Sequence, residues 1–241
     1  MNGRIDYLIE KYHFTEIAES PRIAGQWADV MAECRRENAG AQERLRIALL
    51  NVDYVTSFEL PFRLLLTRTP QLIDKLRNEL QLSQKTVTIN GKKRGQVYSI
   101  SADLSPVPDT FRYRLSTRIR RVDDAGITAT PYQQVAGQTK RPRERLRLAL
   151  EEGLHVNALD GLFWLGSQRI AADIQRLRAS GMNIMATDTD VFDNLTGTTR
   201  TVTDTISEHW INSRIDTSAA RFHANACLQR SVSESFDRHH H

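Results

Sequence analysis

Apolar and polar residues recur along this chain with two periods, and the switches between them outline its elements. Helical spacing appears behind Ser20-Pro21, where Ile23, Trp27, Val30, Met31 and Cys34 share one face. Further helices are predicted over 42–51, 56–64 and 70–80. The last buries Ile73, Leu76 and Leu80, with Thr69-Pro70 as N-cap and first-turn proline. The period then drops to two. Segments 85–89 and 96–100 read as strands around a turn containing Asn90-Gly91, a strong hairpin signal.

Segment 111–121 also alternates. As a strand it puts Arg112, Arg114, Arg118 and Arg120 on one face, in a hairpin beside the first. Phe111, Leu115, Ile119 and Val122 fit a helix as well, so that alternative stays open. Residues 123–126 read as a turn, and 131–140 as an inter-domain linker. Pro142 then opens a helix that Gly153 ends. A short helix over 156–163 leads to a tight turn, Leu165-Gly166-Ser167, with Ser167 as N-cap of a third helix. That helix buries Ile170, Ile174 and Leu177 and stops at Gly181. Strands at 183–186 and 200–203 flank a long turn. Ile211, Ile215, Ala219, Phe222 and Ala226 restore helical spacing near the end.

The chain contains an internal repeat. The run 43–49 recurs at 144–150, and at that spacing of 101 the segments 43–77 and 144–178 share 13 identities in 35 positions. Chance gives roughly two or three. Each copy has three helices with a turn before the last, followed by strand-like sequence. That is the plan of a winged helix-turn-helix, whose third helix can enter the major groove. The expected fold is therefore mainly α with small β wings: tandem winged helix-turn-helix domains with flanking amphipathic helices. The expected divisions are a helical segment 1–42, a first unit with basic hairpin and linker 43–140, a second unit 141–205 and a C-terminal helix 206–238. Residues 239–241, all histidine, read as a tag remnant.

Composition narrows the class. Among 241 residues, 40% are hydrophobic and 26% charged, as in a globular protein with a real core. No apolar run approaches the roughly 18 residues of a membrane span, and 1–14 lacks the apolar stretch of a secretory signal. Two cysteines, Cys34 and Cys227, suggest a reducing, cytoplasmic setting. Net charge is +4 but uneven: −2 over 1–42, +5 over 43–100, +5 over 101–150 and −4 over 151–241. A basic middle can attract a polyanion while the ends cannot.

Candidate chemistry is sparse. GxxxxGK[ST], GxSxG, HExxH and CxxC motifs are missing, and Glu151-Glu152 and Asp123-Asp124 are adjacent rather than convergent pairs. We expect no enzyme and no cofactor. His223 and Cys227, four apart near His209, are too few for zinc, and His13 and His155 stand alone. Asp188, Asp190 and Asp193 lack the glycine and glutamate of a calcium loop. The basic hairpin tip, Lys92, Lys93 and Arg94, suits phosphate contacts, as do Arg112, Arg114, Arg118 and Arg120. Arg68, Gln71, Lys75, Gln168, Arg169 and Arg176 lie on or before the two third helices, placed to touch DNA. The second wing is acidic and would be repelled by phosphate, so the two units should differ on nucleic acid.

Residues 159–184 carry Leu162, Gly166, Arg169, Ala171, Ala172, Ile174, Leu177, Arg178, Gly181 and Ile184 in the pattern L-x-x-x-G-x-x-R-x-A-A-x-I-x-x-L-R-x-x-G-x-x-I. The second unit thereby resembles the winged helix-turn-helix domains of phage and prophage proteins. Asp173 stands where they commonly have arginine. The resemblance implies the fold and a mobile-element origin. The expectation is a sequence-specific binder of double-stranded DNA, a transcriptional regulator. The alternatives are a plasmid-type or phage replication initiator, or a module that binds a host protein such as a polymerase. A homodimer through the terminal helices is a further possibility.

Overall fold

The computed structural model describes residues 4–8, 14–91, 93–115, 119–123, 126–167 and 169–208. The chain starts with strands β1 (Arg4–Leu8) and β2 (Phe14–Glu16), which corrects the expected helical segment 1–42. Helix α1 (Pro21–Arg36) follows. Ser20 Oγ accepts the Ile23 N–H at 3.3 Å, and Pro21 sits in the first turn, where no amide is needed. Its Ile23, Trp27, Val30 and Cys34 are buried in one cluster with Leu45 and Ala48 of α2 (Ala41–Asn51). The apolar face of α1 is thus used within the chain.

Next come β3 (Val55–Thr56), α3 (Leu60–Arg63) and α4 (Thr69–Arg77), then β4 (Ser83–Ile89) and β5 (Lys93–Ser99). The N-cap of α4 is Arg68, not Thr69, whose hydroxyl turns back to the Leu66 carbonyl. Asn90 and Gly91 take the left-handed φ of 51° and 71° that the hairpin reversal demands. The chain continues through β6 (Thr110–Phe111), β7 (Tyr113–Leu115), β8 (Arg120–Asp123) and β9 (Gly126–Ile127). Helix α5 (Ala129–Gln138) then replaces the expected linker. Tyr132 and Val135, one helical turn apart, are buried there, so this segment belongs to the core.

The rest is α6 (Pro142–Glu151), α7 (Ala158–Asp160) running into a π-type turn at 161–165, α8 (Ile170–Ala179), β10 (Ile184–Asp193) and β11 (Thr198–Ser207). Arg169 caps α8, and Ser167 Oγ accepts the Arg169 N–H at 3.3 Å rather than capping the helix itself.

Three sheets form. The largest has the order β11-β10-β1-β8-β9, with β1 parallel to β10 and the other pairs antiparallel. A second has the order β3-β5-β4-β6, with β6 parallel to β4. A third pairs β2 with β7. Strand accounts for 27% of the structure, and one of the two mixed sheets curls into a half-barrel.

This overturns the expected architecture of tandem winged helix-turn-helix domains with small wings. The fold is α+β, and the segments expected as wings are parts of larger mixed sheets. The predicted long turn after 186 is mostly strand: β10 and β11 are ten residues each. Polar Thr and Asp side chains on the exposed face hid that length from a hydrophobicity pattern.

The repeated segments nevertheless agree in backbone detail. Arg68 and Arg169 cap their helices at φ, ψ of −132°, 41° and −129°, 44°. Leu65 and Gly166, again 101 apart, both take positive φ, 53° and 72°. Thr56 and Glu59 exchange hydrogen bonds before α3, as Asn157 and Asp160 do before and within α7. The larger core cluster joins Phe62, Val87 and Phe111 to Tyr132, Leu146 and Leu177.

Candidate nucleic-acid interface

Helix α4 buries Ile73 and Leu76 and leaves Gln71 and Lys75 exposed, with exposed Arg68 at its start. Its C-terminal end lies over one side of the β4–β5 hairpin. Arg77 Nη1 donates to Gln84 Oε1 at 2.8 Å, and its guanidinium is 5.9 Å from the Tyr98 ring centre. Gln84 and Tyr98 are register partners. Successive residues of a strand point to opposite faces. So this same side continues through the pairs Thr86–Gln96 and Thr88–Arg94, while Val87, Ile89 and Val97 enter the core.

Strand β6 widens that polar side, because Thr110 is the register partner of Thr88. The alternation runs on: Phe111 and Tyr113 are buried, Arg112 and Arg114 exposed. Gly95 makes the hairpin tight. A Cβ there would lie 2.2 Å from Ile89 Cδ1.

Ion pairing separates these cations from ordinary surface arginines. Arg22 pairs with Asp53, Arg36 with Glu37, Arg46 with Glu79 and Arg147 with Glu144. Glu144 is held below its usual carboxylate range mainly by its hydrogen bond from Arg147. Among the described residues, no carboxylate pairs with Arg68, Lys75, Arg94, Arg112 or Arg114.

The remaining nominated residues divide. Lys92, Arg118 and Gln168 lie outside the described residues, and for Lys93 only the backbone, in β5, is described. Arg120 sits on β8 opposite Leu8 in the five-stranded sheet. The expected single strand with four arginines on one face is therefore corrected: Arg112 follows β6, Arg114 lies on β7 opposite Thr15 of β2, and Arg120 lies in the five-stranded sheet. Arg169 and Arg176 are exposed on the second unit, with Arg176 Nη1 3.6 Å from Asp173. The expected C-terminal helix, with His209, His223 and Cys227, and His13 lie outside the described residues.

The acidic hairpin has a structural task that sequence reading missed. Its tip is locked onto the first unit. Arg44 Nη2 donates to Thr198 Oγ1 at 2.7 Å, Arg200 Nη1 to the Leu65 carbonyl at 2.8 Å, and Arg35 to the Leu195 carbonyl. Buried Asp193 accepts from the Leu195 N–H and the Thr196 hydroxyl. Burial pulls Arg200 down to about 10, aided by nearby Arg44 and opposed by Asp193.

A second polar network lies beneath β1. Tyr7 donates its hydroxyl to Asp160 at 2.6 Å, and Arg121 Nε is 3.3 Å from the same carboxylate. Burial pushes Asp160 up to about 6, against the pull of Arg121 and the Tyr7 hydroxyl. His155 is not alone: its Nδ1 is 3.0 Å from Asp204 Oδ2. Among the described residues, no group of three or more His, Cys, Asp or Glu is placed to hold a metal ion, and no helix is long and apolar enough to cross a membrane. No family model matches the chain, and no curated protein or solved structure matches it either.

Proposed function

We propose that this protein binds double-stranded DNA through its first unit, with α4 and the polar side of the β4–β5–β6 sheet facing the duplex. One observation carries this reading: five exposed cations have no acidic partner among the described residues, Arg68 and Lys75 at the start of and on α4, Arg94 on β5, Arg112 directly after β6 and Arg114 on the next strand, β7. Unpaired guanidinium and ammonium groups repel one another, and a phosphate backbone relieves that repulsion while releasing counterions. Arg94, Arg112 and Arg114 hold backbone, which positions the protein. Gln71 and Lys75, on the outer side of α4, reach base edges and supply sequence choice. The process we assign to this binding is transcriptional regulation.

Selection from random duplexes, followed by titration at rising salt, tests this. A preferred site should keep its advantage as salt rises. Replacing Arg94, Arg112 and Arg114 with alanine should lower the slope of log affinity against log salt by about 3. Wild-type protein with no measurable duplex affinity at low salt would sink the proposal. Selected sites occurring as iterated repeats would move the process from regulation to replication initiation.

A further inference from the structure

The second unit carries a cationic cluster that its repeat partner lacks. Asp173, on the first turn of α8, holds two arginines from different helices. Arg143 Nε of α6 lies 3.4 Å from Asp173 Oδ1, and Arg176 Nη1 of α8 lies 3.6 Å from the same oxygen. Asp173 Oδ2 accepts the Ser167 hydroxyl at 2.9 Å, which fixes the carboxylate. Both arginine side chains remain more than half exposed, at 52% and 61%. Each spends one nitrogen on Asp173, and no other partner for either is found among the described residues.

Lys140 and Arg141 stand exposed just before α6, and exposed Arg169 caps α8. Arg145 ties the approach to α6 to the turn that ends the shorter helix before α8, donating from Nε to the Thr139 carbonyl and from Nη1 to the Trp164 carbonyl. Four cations, Lys140, Arg141, Arg143 and Arg169, therefore stand at the starts of α6 and α8, with Arg176 further along α8, and Asp173 is the one carboxylate that pairs with any of them among the described residues. Positive charge at a helix N-terminus opposes the helix dipole.

The internal repeat isolates this feature from scaffolding. Arg169 and Arg176 match Arg68 and Lys75, but at the positions of Lys140, Arg141 and Arg143 the first unit has Ala39, Gly40 and Gln42, none of them cationic, and Leu72 replaces Asp173. Arg44, the match of Arg145, keeps the same carbonyl-bridging role. The arginine that builds the unit is common to both copies, whereas the cluster around Asp173 belongs to the second alone.

We propose that Lys140, Arg141 and Arg143, with Arg143 oriented by Asp173, form a second backbone-phosphate-binding surface for duplex DNA, beside the start of α8. This rests on the duplex-binding reading above and extends it to the second unit. The surface grips phosphates without reading sequence, because all three side chains precede α8 and none lies on its outer face.

The test uses the full chain and a duplex of about three helical turns, titrated between ~50 and ~200 mM salt. The variant Lys140→Ala/Arg141→Ala/Arg143→Ala should bind more weakly on every duplex sequence, with a salt slope lowered by about 3. All three side chains are exposed, so its urea midpoint should stay at the wild-type value. A conservative variant, Arg143→Lys with the other two retained, should restore most of the slope. An unchanged slope, while Arg94→Ala/Arg112→Ala/Arg114→Ala lowers it, overturns the second surface and leaves the first standing. Wild-type protein that ignores duplex overturns both.

Discussion

Arg44 and Arg145, 101 residues apart, each bridge two backbone carbonyls, and those of Arg145 fall one residue earlier than the repeat spacing would place them. Arg44 reaches the Ala39 carbonyl at 2.8 Å and the Leu64 carbonyl at 3.2 Å. Arg145 reaches the Thr139 carbonyl at 2.6 Å and the Trp164 carbonyl at 3.3 Å. Each ties the approach to one helix to the end of a shorter one. Only Arg44 adds a third bond, to Thr198 on the acidic hairpin, and only Arg44 is fully buried.

That asymmetry predicts unequal costs. Arg44→Ala strands two carbonyls and removes a cation from beside buried Asp193, and buried unpaired groups cost about 1–3 kcal/mol each. We expect a loss of at least about 3 kcal/mol there and about 1–2 kcal/mol for Arg145→Ala, where water can replace the guanidinium. Urea unfolding midpoints measure both. Equal losses would mean that the contact with the hairpin tip contributes nothing.

Asp160 makes stability depend on pH. Burial raises its pKa from 3.8 to about 6, so the folded chain binds this proton more tightly than the unfolded chain. Its contribution favours folding below about pH 4 and is lost as pH rises towards 6, by up to about 3 kcal/mol. Asp160→Asn should flatten that part of the profile of urea midpoint against pH. A variant profile as steep as the wild type would place the titration elsewhere.

The turn before each third helix needs a left-handed residue. Gly166 supplies it at φ 72°, and a Cβ there meets nothing closer than Arg145 Nη1 at 3.6 Å. Gly166→Ala therefore pays backbone strain alone, about 1–2 kcal/mol. Leu65 adopts the same conformation at φ 53° yet is wholly buried. Leu65→Gly relieves strain but deletes a core side chain worth about 2–5 kcal/mol, so it should also destabilise. A stabilised Leu65→Gly protein, read by thermal melting, would refute this balance.

Gly95 and Ile89 should be coupled. The Cβ of Gly95→Ala collides with Ile89 Cδ1 at 2.2 Å and lies 3.0 Å from Cγ1. We expect about 1–3 kcal/mol of destabilisation, as for other overpacked sites. Ile89→Val removes Cδ1, so the double variant should be more stable than the sum of the single changes implies. Strict additivity in thermal unfolding would show that the hairpin accommodates the methyl group by another route.

Cys34 should resist thiol reagents in the folded state. It is buried on α1, and burial raises its thiol to about 11, against the pull of Arg44. With Cys227 replaced by serine, reaction with a disulfide reagent should appear only as urea unfolds the chain.

Much of the helical framework was legible in the residues themselves. Helical spacing placed α1, α4, α6 and α8, because each buries one stripe and carries a local start or stop signal such as Ser20-Pro21, Pro142 or Gly181, while α2 is buried around most of its circumference. The Asn90-Gly91 reversal was equally local. The candidate interface was legible in part. Lys75 and Arg94 could be nominated from charge and helix position, but the cluster of Arg143 and Arg176 on Asp173 could not, since it requires two helices to meet. The density of cations over 140–147 was its only signal.

What the sequence determined alone is whatever depends on neighbours within one or two turns: helix stripes, caps, a hairpin reversal, and a spacing of 101 that matches residue to residue. The tertiary structure decided the sheets. Ile5 finds Val191 in parallel register, Thr88 finds Thr110, and the acidic hairpin ends against Arg44 rather than in solvent. Strand partners and buried charges are chosen by which distant surfaces can satisfy their backbone and carboxylate groups together, and no local period records that choice.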